Sequence, residues 1–243
     1  MKLEHYRGIF KGKEIAILGN GKSLENDLHI LKKDKIPCIG VNASWNIAPT
    51  AYHVTVDNAQ LEVIQRKQPL IKHLFVSSLP SIQTGHNTII VPTRNDKKTG
   101  FSMEATKGVF ICRSSLWFAL QLTYFFSMGE SEVYLCGLDL GGGRIEGHPK
   151  GEASLPEDGI RAQLENFAYL RALIDWKITN PNFKVYITSQ TSPCRAIPKV
   201  RFEHREETKR LAYQYGDEIR LVFKTDPETQ REALNEAIRR DDR

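Results

Sequence analysis

The sequence predicts an α/β fold in which a Rossmann-like, mainly parallel sheet carries helices on both of its faces. Short apolar runs alternate with helical segments along most of the chain, which is typical of βαβ units. The first apolar run passes directly into a glycine-rich turn, as strands do in folds that bind nucleotides. Residues 115–128 form a helical segment that is apolar nearly all round, which indicates a buried central helix.

Length and composition limit the number of domains and the class of partner. A chain of 243 residues with 40% hydrophobic and 26% charged residues has a globular composition and the length of one domain with an appendage. We predict a single domain over 1–200 and a charged helical appendage over 201–243. The net charge of +5 suits an anionic ligand, but the basic residues are not clustered as nucleic-acid binding requires. No nucleic-acid partner is predicted.

Several features predict a cytoplasmic protein. Residues 1–13 are polar and lack the apolar segment of a signal peptide, and the apolar run 115–128 is too short to span a bilayer. The cysteines are widely spaced without a CxxC pair, which favours free thiols in a reducing compartment over a zinc site. They are Cys38, Cys112, Cys136 and Cys194. Peripheral contact with the inner face of a membrane and the oligomeric state are left open.

The first predicted strand, residues 14–18, leads into a turn and then a helix. A strand, glycine turn and helix in this order direct backbone N–H groups and the helix dipole at a phosphate. Leu24 stands where a full GxGxxG pattern has its third glycine. A plain turn capped by serine therefore fits the glycines equally well. The candidate ligand-binding residues of this turn are Gly19, Asn20, Gly21 and Ser23.

Polar side chains also stand at the ends of the next two predicted strands. One strand ends in Asn42, and the following one ends in Asp57 with Asn58 beside it. Each residue taken singly is compatible with a helix cap. Because the carboxyl ends of parallel strands meet at one edge of a sheet, we expect them to line a shared pocket with Asn20.

The remaining predicted strands are 73–77, 88–91, 132–136 and 183–187, and a second long helix is predicted at 160–178. The strand at 132–136 leads through Asp139 into a glycine-rich loop with Arg144 and His148. Asp139 is interpreted as a site ligand or as a cap of backbone N–H groups. The last strand is followed by hydroxyl side chains, including Thr188 and Ser189, which suit a phosphate or ribose and equally a hydrogen-bonded turn.

Several short sequence segments, which we call blocks, together resemble a known group of enzymes. The blocks are 19–24 (GNGKSL), 41–42 (VN), 108–110 (GVF) and 137–139 (GLD). The segments 100–102 (GFS), 108–112 (GVFIC), 119–124 (ALQLTY) and 137–140 (GLDL), with 41–44 (VNAS) and 54–57 (VTVD), are similar to the lipopolysaccharide core Kdo transferases of the RfaZ/WaaZ type. The broader pattern resembles the Campylobacter-type sialyltransferases and the domain shared by motility accessory factors and MptE-like pterin diphosphokinases. The resemblance extends over residues 14–200 and is concentrated in the blocks.

The resemblance implies a sialyltransferase-like variant of the GT-A glycosyltransferase fold and a specific donor. The donor is a 2-keto sugar acid such as Kdo, or a sialic-acid-like sugar, activated by CMP. The acceptor is a hydroxyl of a lipopolysaccharide core or related glycan. By the same resemblance, Asn20 and Asn42 hold the cytidine and ribose, and Gly108 and Val109 pass close to the donor.

The resemblance also assigns the catalytic groups. His148 falls near the position of the sialyltransferases' general-base histidine, and a histidine with a pKa near neutrality suits that role. Those enzymes bind the donor phosphate with tyrosines in the intervening loop, which is glycine-rich here. Arg144, Lys150 or the pair Thr188 and Ser189 have to serve instead. Apart from the resemblance, the residues alone indicate that Arg113, near the start of the apolar helix, either faces the pocket, or snorkels or pairs with a carboxylate.

We predict no resident cofactor and a metal-independent reaction, since the chain has no DxD motif and CMP leaves as a phosphate monoester. A pterin diphosphokinase is the alternative, but its chemistry uses several metal-binding carboxylates, and only Asp57 and Asp139 stand at strand ends. A non-catalytic nucleotide- or glycan-binding protein is the third interpretation. It predicts that replacing His148 or Arg144 leaves function unchanged.

Overall fold

The computed structural model describes most of the chain. The described residues are 1–67, 71–77, 87–94, 99–112, 114–141, 143–145, 148 and 155–209. By their contacts the residues divide into one unit, Met1–His204, and a second, Arg205–Arg243. The second unit contains most of the predicted appendage, which beyond residue 209 lies outside the described residues.

Nine strands and four complete α-helices lie within the described residues, and residues 205–209 are also helical. The strands are β1 (Lys13–Leu18), β2 (Cys38–Val41), β3 (Tyr52–Thr55), β4 (His73–Ser77), β5 (Thr88–Val91), β6 (Thr93–Arg94), β7 (Val109–Phe110), β8 (Ser131–Cys136) and β9 (Phe183–Ile187). The helices are α1 (Leu24–Lys33), α2 (Asn58–Lys67), α3 (Ser115–Ser127) and α4 (Glu157–Asp175). Every strand that the sequence predicts is present, whereas β6 and β7 were not predicted.

Seven of these strands form one parallel sheet in the order β5-β4-β3-β2-β1-β8-β9, and β6 and β7 form a separate ladder. The chain steps outward from β1 to β5 and then returns to place β8 on the other side of β1. The strand order therefore reverses between β1 and β8, which makes this the topological switch point of the sheet. Leu18 pairs with Cys136 at the carboxyl ends of these two strands, so the turns that follow them start side by side.

Helices cover both faces of the sheet, as the sequence predicts. Ile17 of β1 belongs to the buried cluster that contains Phe167 of α4 and the residues of α3. The next residue, Leu18, points to the other face and clusters with Leu24 of α1. Leu61 of α2 packs against strand residues on that second face. Because both faces are covered, the strands read as nearly continuous apolar runs.

Helix α3 is the buried central helix that its composition predicts. All thirteen of its residues are buried. Ser114 caps it by accepting the Trp117 N–H, and Met128 ends it in a left-handed conformation. Helix α4 begins and ends three residues earlier than the periodicity predicts. It stops because Lys177 adopts a left-handed conformation (φ 55°), a local choice that the apolar spacing does not encode. Within the described ranges, no helix combines the length and apolarity needed to cross a bilayer.

Candidate functional site

A cavity of about 590 Å³ opens at the carboxyl ends of β1, β2, β3 and β8. α/β proteins bind ligands at this edge of the sheet, and the cavity includes the switch point. Its volume is that of a small-molecule site. The predicted site residues that line it are Gly19, Asn20, Gly21, Asn42, Asp57, Asn58, Asp139 and Arg144. The structure thus brings the polar ends of successive strands into one cavity, and their ligand stays a prediction.

The glycine turn after β1 is held by hydrogen bonds to the end of β8. The Gly19 N–H donates to the Cys136 carbonyl (2.8 Å), and the Gly21 N–H donates to the Gly137 carbonyl (2.9 Å). A β-carbon at Gly19 would lie 2.7 Å from the Gly137 oxygen, which is closer than packed atoms approach. The close approach of the two strand ends therefore accounts for glycine in this turn.

Asp139 occupies the N-terminus of α1. Its Oδ2 accepts the Ser23 N–H (2.8 Å), and its other oxygen accepts the Ser23 hydroxyl. A carboxylate is stabilised at this end of a helix by the helix dipole. A phosphate in the same place would meet a negative charge, so the structure does not support a phosphate role for the glycine turn. Gly19, Asn20 and Gly21 line the cavity, whereas Ser23 binds Asp139 and does not line it.

Asn20 lines the cavity, and its side-chain oxygen is an unused hydrogen-bond acceptor. Its Oδ1 is buried and has no hydrogen-bond partner among the described residues. Its backbone carbonyl accepts the Ile145 N–H (2.9 Å), which fixes the turn beside it. Buried polar atoms without a partner are uncommon in native proteins. An N–H or O–H group of a bound ligand would satisfy this oxygen.

Asn42 offers the cavity a donor. It follows β2 in a left-handed conformation (φ 51°), which asparagine tolerates better than most residues. Its carbonyl lies 2.8 Å from His53 Nε2, and its Oδ1 accepts the Thr55 hydroxyl (3.0 Å). With Oδ1 engaged, the amide NH₂ is the group that Asn42 presents to the cavity.

His53 supports Asn42 as a neutral imidazole. Its side chain is completely buried, and burial lowers the pKa of His53 to about 4, which the hydrogen bond to Asn42 opposes only in part. Near neutral pH the ring therefore carries one proton. That proton lies on Nε2, because Nε2 faces the Asn42 carbonyl oxygen, which can only accept a hydrogen bond.

Asp57 and Asn58 begin helix α2 at the rim of the cavity. The Asp57 Oδ1 accepts the Ala59 N–H (3.0 Å), and the Asp57 carbonyl accepts the Leu61 N–H (3.0 Å). These are the contacts of a helix cap. Asp57 therefore has the capping role that was the alternative to ligand binding, while both residues also line the cavity.

The N-terminus of α3 forms a wall of the cavity, a region in which only Arg113 was considered from the sequence as facing a pocket. Ser114 and Ser115 line it, and the Ser115 hydroxyl also accepts the Val56 N–H (3.4 Å). Two serine hydroxyls at the start of a long apolar helix were the sequence feature from which this wall could have been predicted. Arg113, next to them, lies outside the described residues. The other lining residues not predicted are Val41, Val56, Ile111, Leu116, Gly137, Leu138, Leu140, Gly143, Leu155 and Gln163.

Arg144 supplies a positive charge to the cavity wall. Its backbone forms an isolated antiparallel bridge with Gly21, so the loop after β8 runs beside the turn after β1. Lys150, the other basic candidate for a phosphate ligand, lies outside the described residues. Among the described residues, no three His, Cys, Asp or Glu side chains are grouped as metal ligands.

Gly108 and Val109 lie elsewhere and do not line the cavity. Gly108 follows the 3-10 turn Ala105–Lys107 with φ 107°, and a β-carbon there would lie 2.9 Å from the Arg94 side chain. Val109 is completely buried and pairs with β6. In this structure the two residues lie at the start of the short β6-β7 ladder, where Val109 packs in the core. A contact with the donor stays a prediction.

Thr188 and Ser189 also lie outside the cavity lining. The Thr188 hydroxyl donates to Asp27 Oδ2 (2.6 Å), and the Ser189 hydroxyl lies 3.2 Å from that of Thr191. Both side chains are buried. The Ser189 contact is local to the turn, whereas Thr188 bonds to a residue that is distant along the chain. Binding of a phosphate or ribose by either residue stays a prediction.

His148, the predicted general base, is a buried residue beside α2. Its Nε2 lies 3.4 Å from the side-chain nitrogen of Gln60, a residue with no exposed surface. His148 is not among the residues that line the cavity. Its catalytic role therefore stays a prediction from its place in the chain.

Asp27, one turn along α1 from Ser23, has a carboxyl group with a shifted pKa. It is 7% exposed, and burial raises the pKa of Asp27 to about 6, with a smaller increase from Asp139. Hydrogen bonds from Thr188 and Cys136 oppose this rise. The group therefore loses its proton near neutral pH at an energetic cost to the folded state.

We expect Asp27→Asn to stabilise the protein above pH 7 by about 1–3 kcal/mol. The folded state holds the Asp27 proton more tightly than the unfolded chain, so the stability of the wild type falls as pH rises from about 4 to about 6. The asparagine oxygen still accepts the Thr188 hydroxyl. Urea unfolding at pH 4 to 8 measures the difference, which should shrink at the acid end. Glu25→Gln, an exposed change on α1, is the control. A less stable Asp27→Asn protein at pH 8 would contradict the expectation.

Comparison with known proteins adds no family assignment: no family model, no curated protein and no solved structure matches this chain.

Proposed function

We propose that this protein is a glycosyltransferase that moves a 2-keto sugar acid, Kdo or a sialic-acid-like sugar, from its CMP-activated form to a hydroxyl of a lipopolysaccharide core or related glycan. The observation that carries the proposal is the cavity at the switch point, where Asn20, Asn42 and Arg144 converge. The resemblance of the glycine turn, the Val-Asn strand end and the Gly-Leu-Asp strand end supplies the identity of the donor.

The two asparagines suit the nucleoside part of the donor. Asn20 offers a buried acceptor, and Asn42 offers an amide donor because its oxygen is taken by Thr55. A cytosine ring with its ribose has both N–H or O–H donors and carbonyl or ring-nitrogen acceptors. One acceptor and one donor on adjacent strands are the complement of such a mixed edge.

Arg144 and the start of α3 suit the phosphate. When the acceptor hydroxyl attacks the anomeric carbon, the bond from that carbon to the phosphate oxygen breaks and CMP leaves with both electrons. The negative charge on the phosphate increases in this step, and a guanidinium with N–H groups of a helix N-terminus lowers its energy. Since Asp139 occupies the N-terminus of α1, the N-terminus of α3 is the one assigned to the phosphate.

The acceptor hydroxyl loses a proton in the same step, and His148 is the base that we propose accepts it. A general base has to come within hydrogen-bond reach of the proton it takes. The support for His148 is its place after the Gly-Leu-Asp strand end and before α4. Its burial against Gln60 means that the acceptor has to reach the edge of the cavity next to α2.

A thermal unfolding screen with CMP, CDP, ATP and GTP tests the proposal. We expect CMP at about 100 times its dissociation constant to add about 2.7 kcal/mol of stability, which raises the melting temperature by about 5–10 °C for a domain of this size. The other nucleotides are the controls and should raise it less. Preference for ATP with magnesium would favour the diphosphokinase alternative and contradict the proposal.

Turnover is then followed as release of CMP from CMP-Kdo by wild-type protein and by His148→Ala. Wild-type protein that binds CMP but never releases it from a CMP-activated sugar would favour the non-catalytic interpretation. Unchanged release by His148→Ala would remove His148 from the mechanism and leave the donor assignment in place.

A further inference from the structure

We propose that Thr55 is a positioning residue for the ligand, because its hydroxyl holds the Asn42 amide in place at the cavity. The inference deepens the proposed function and rests on it for the choice of CMP as probe. Thr55 is the last residue of β3 and is 1% exposed. It does not line the cavity, so it acts on the ligand through Asn42.

The Thr55 hydroxyl connects the ends of two neighbouring strands. It donates to Asn42 Oδ1 at 3.0 Å and lies 3.3 Å from both the backbone nitrogen and the carbonyl oxygen of Asp57. One buried oxygen atom therefore holds the side chain that follows β2 and the backbone that follows β3. The two strands are adjacent and parallel in the sheet, which keeps these contacts in register.

An asparagine amide needs such a contact because its two ends have nearly the same shape and opposite hydrogen-bonding character. Rotating the amide by half a turn exchanges the acceptor oxygen and the donor NH₂. His53 holds the Asn42 carbonyl at 2.8 Å and so fixes the backbone, but it does not contact the amide. The hydrogen bond from Thr55 holds the amide itself, in the arrangement with oxygen inward and NH₂ toward the cavity.

This orientation matters because of Asn20 on the neighbouring strand end. Asn20 presents an unpartnered acceptor, and Asn42 presents a donor. With the Asn42 amide rotated, both asparagines would present acceptors, and a ligand edge with one donor and one acceptor would no longer be matched. Loss of one hydrogen bond, or the cost of reorienting the amide, corresponds to about a 5- to 10-fold loss of affinity.

A double-mutant cycle tests the inference, with CMP affinity measured by isothermal titration calorimetry. The variants are Thr55→Val and Asn42→Gly, alone and combined; glycine keeps the left-handed backbone at position 42 available. We expect Thr55→Val to weaken CMP binding about 5- to 10-fold in the wild-type background and less than about 2-fold in Asn42→Gly. Thr55→Ser, which retains the hydroxyl, should bind CMP like the wild type.

Equal losses in both backgrounds would show that Thr55 acts independently of Asn42 and would overturn the inference, as would unchanged CMP binding by Thr55→Val. Thermal unfolding of each variant checks the fold, and Thr55→Ala replaces Thr55→Val if the valine variant does not fold. Wild-type protein that binds no CMP would be a failure of the proposed function and not of the positioning role.

A measurement without ligand distinguishes a failure of the positioning role from a failure of the proposed function. The side-chain ¹⁵N signal of Asn42, identified by its loss in Asn42→Gly, reports the mobility of the amide. We expect it to be rigid in the wild type and in Thr55→Ser and mobile in Thr55→Val. An amide that is equally rigid in all three proteins would overturn the positioning role whatever ligand the cavity binds.

Discussion

Replacing Arg144 by alanine is expected to lower the rate of CMP release from a CMP-activated sugar acid by about 100- to 1000-fold. The side chain lines the cavity, and the bridge between its backbone and Gly21 holds it beside the glycine turn. The charge of the leaving phosphate increases in the transition state, so the guanidinium contributes more there than to the bound donor. The loss should therefore appear mainly in kcat, measured by initial rates over a range of donor concentrations.

Arg171→Ala is the matched control for this change. Arg171 lies on α4 and pairs at the surface with Asp175 (2.8 Å), so its replacement removes the same charge from a place outside the cavity lining. Its turnover should stay within about 2-fold of the wild type, because a single exposed ion pair contributes little. An Arg144→Ala protein with wild-type kcat would remove Arg144 from the proposed phosphate site.

Replacing Gly21 by alanine is expected to lower the free energy of unfolding by about 3 kcal/mol. A β-carbon at this position would lie 2.6 Å from both Asp139 Oδ2 and the Gly137 carbonyl oxygen. Neither atom belongs to a flexible side-chain end, since Asp139 is held by Ser23 and Gly137 is backbone. The junction of β1 and β8 has to separate to admit the methyl group. Urea unfolding followed by circular dichroism measures the change.

Gly141→Ala provides the control for the glycine junction. Gly141 lies in the loop after β8, is exposed, and a β-carbon there would have no atom within 4 Å. Its replacement should change the free energy of unfolding by less than about 0.5 kcal/mol. If Gly21→Ala and Gly141→Ala were equally stable, crowding at the switch point would not be the reason for glycine at position 21.

The strands and central helix follow from the sequence because their signals are local. Strands β4, β5 and β9 coincide with predicted apolar runs, and α3 with the apolar segment before Met128. A strand buried on both faces needs apolar side chains at nearly every position, and this requirement can be read without knowing its partners. Helix α4 shows the limit of such signals. Its apolar spacing continues past the residue at which a left-handed backbone ends it.

The candidate site also combines residues whose position the sequence predicts with residues whose position it does not. Asn20, Asn42 and Asp57 follow their strands directly, so parallel pairing alone is enough to bring them to one edge. The start of α3 lies far along the chain from these strand ends, so the sequence does not show that it meets them. The order of the strands in the sheet brings it to the cavity. Thr188 follows its strand just as directly, yet its hydroxyl turns to Asp27. The direction in which a side chain leaves a turn depends on its neighbours in space.

The sequence by itself determined the α/β class, the buried helix and the polar strand ends, because each depends on residue types within one short segment. The tertiary structure alone decided which hydrogen-bonding groups these residues have left for a ligand. Asp139 is engaged by Ser23 and Asp57 by its own helix, whereas Asn20 retains an acceptor and Asn42 a donor. A polar residue's availability is set by the partners that long-range packing brings to it, and those partners are not recorded in its neighbours along the chain.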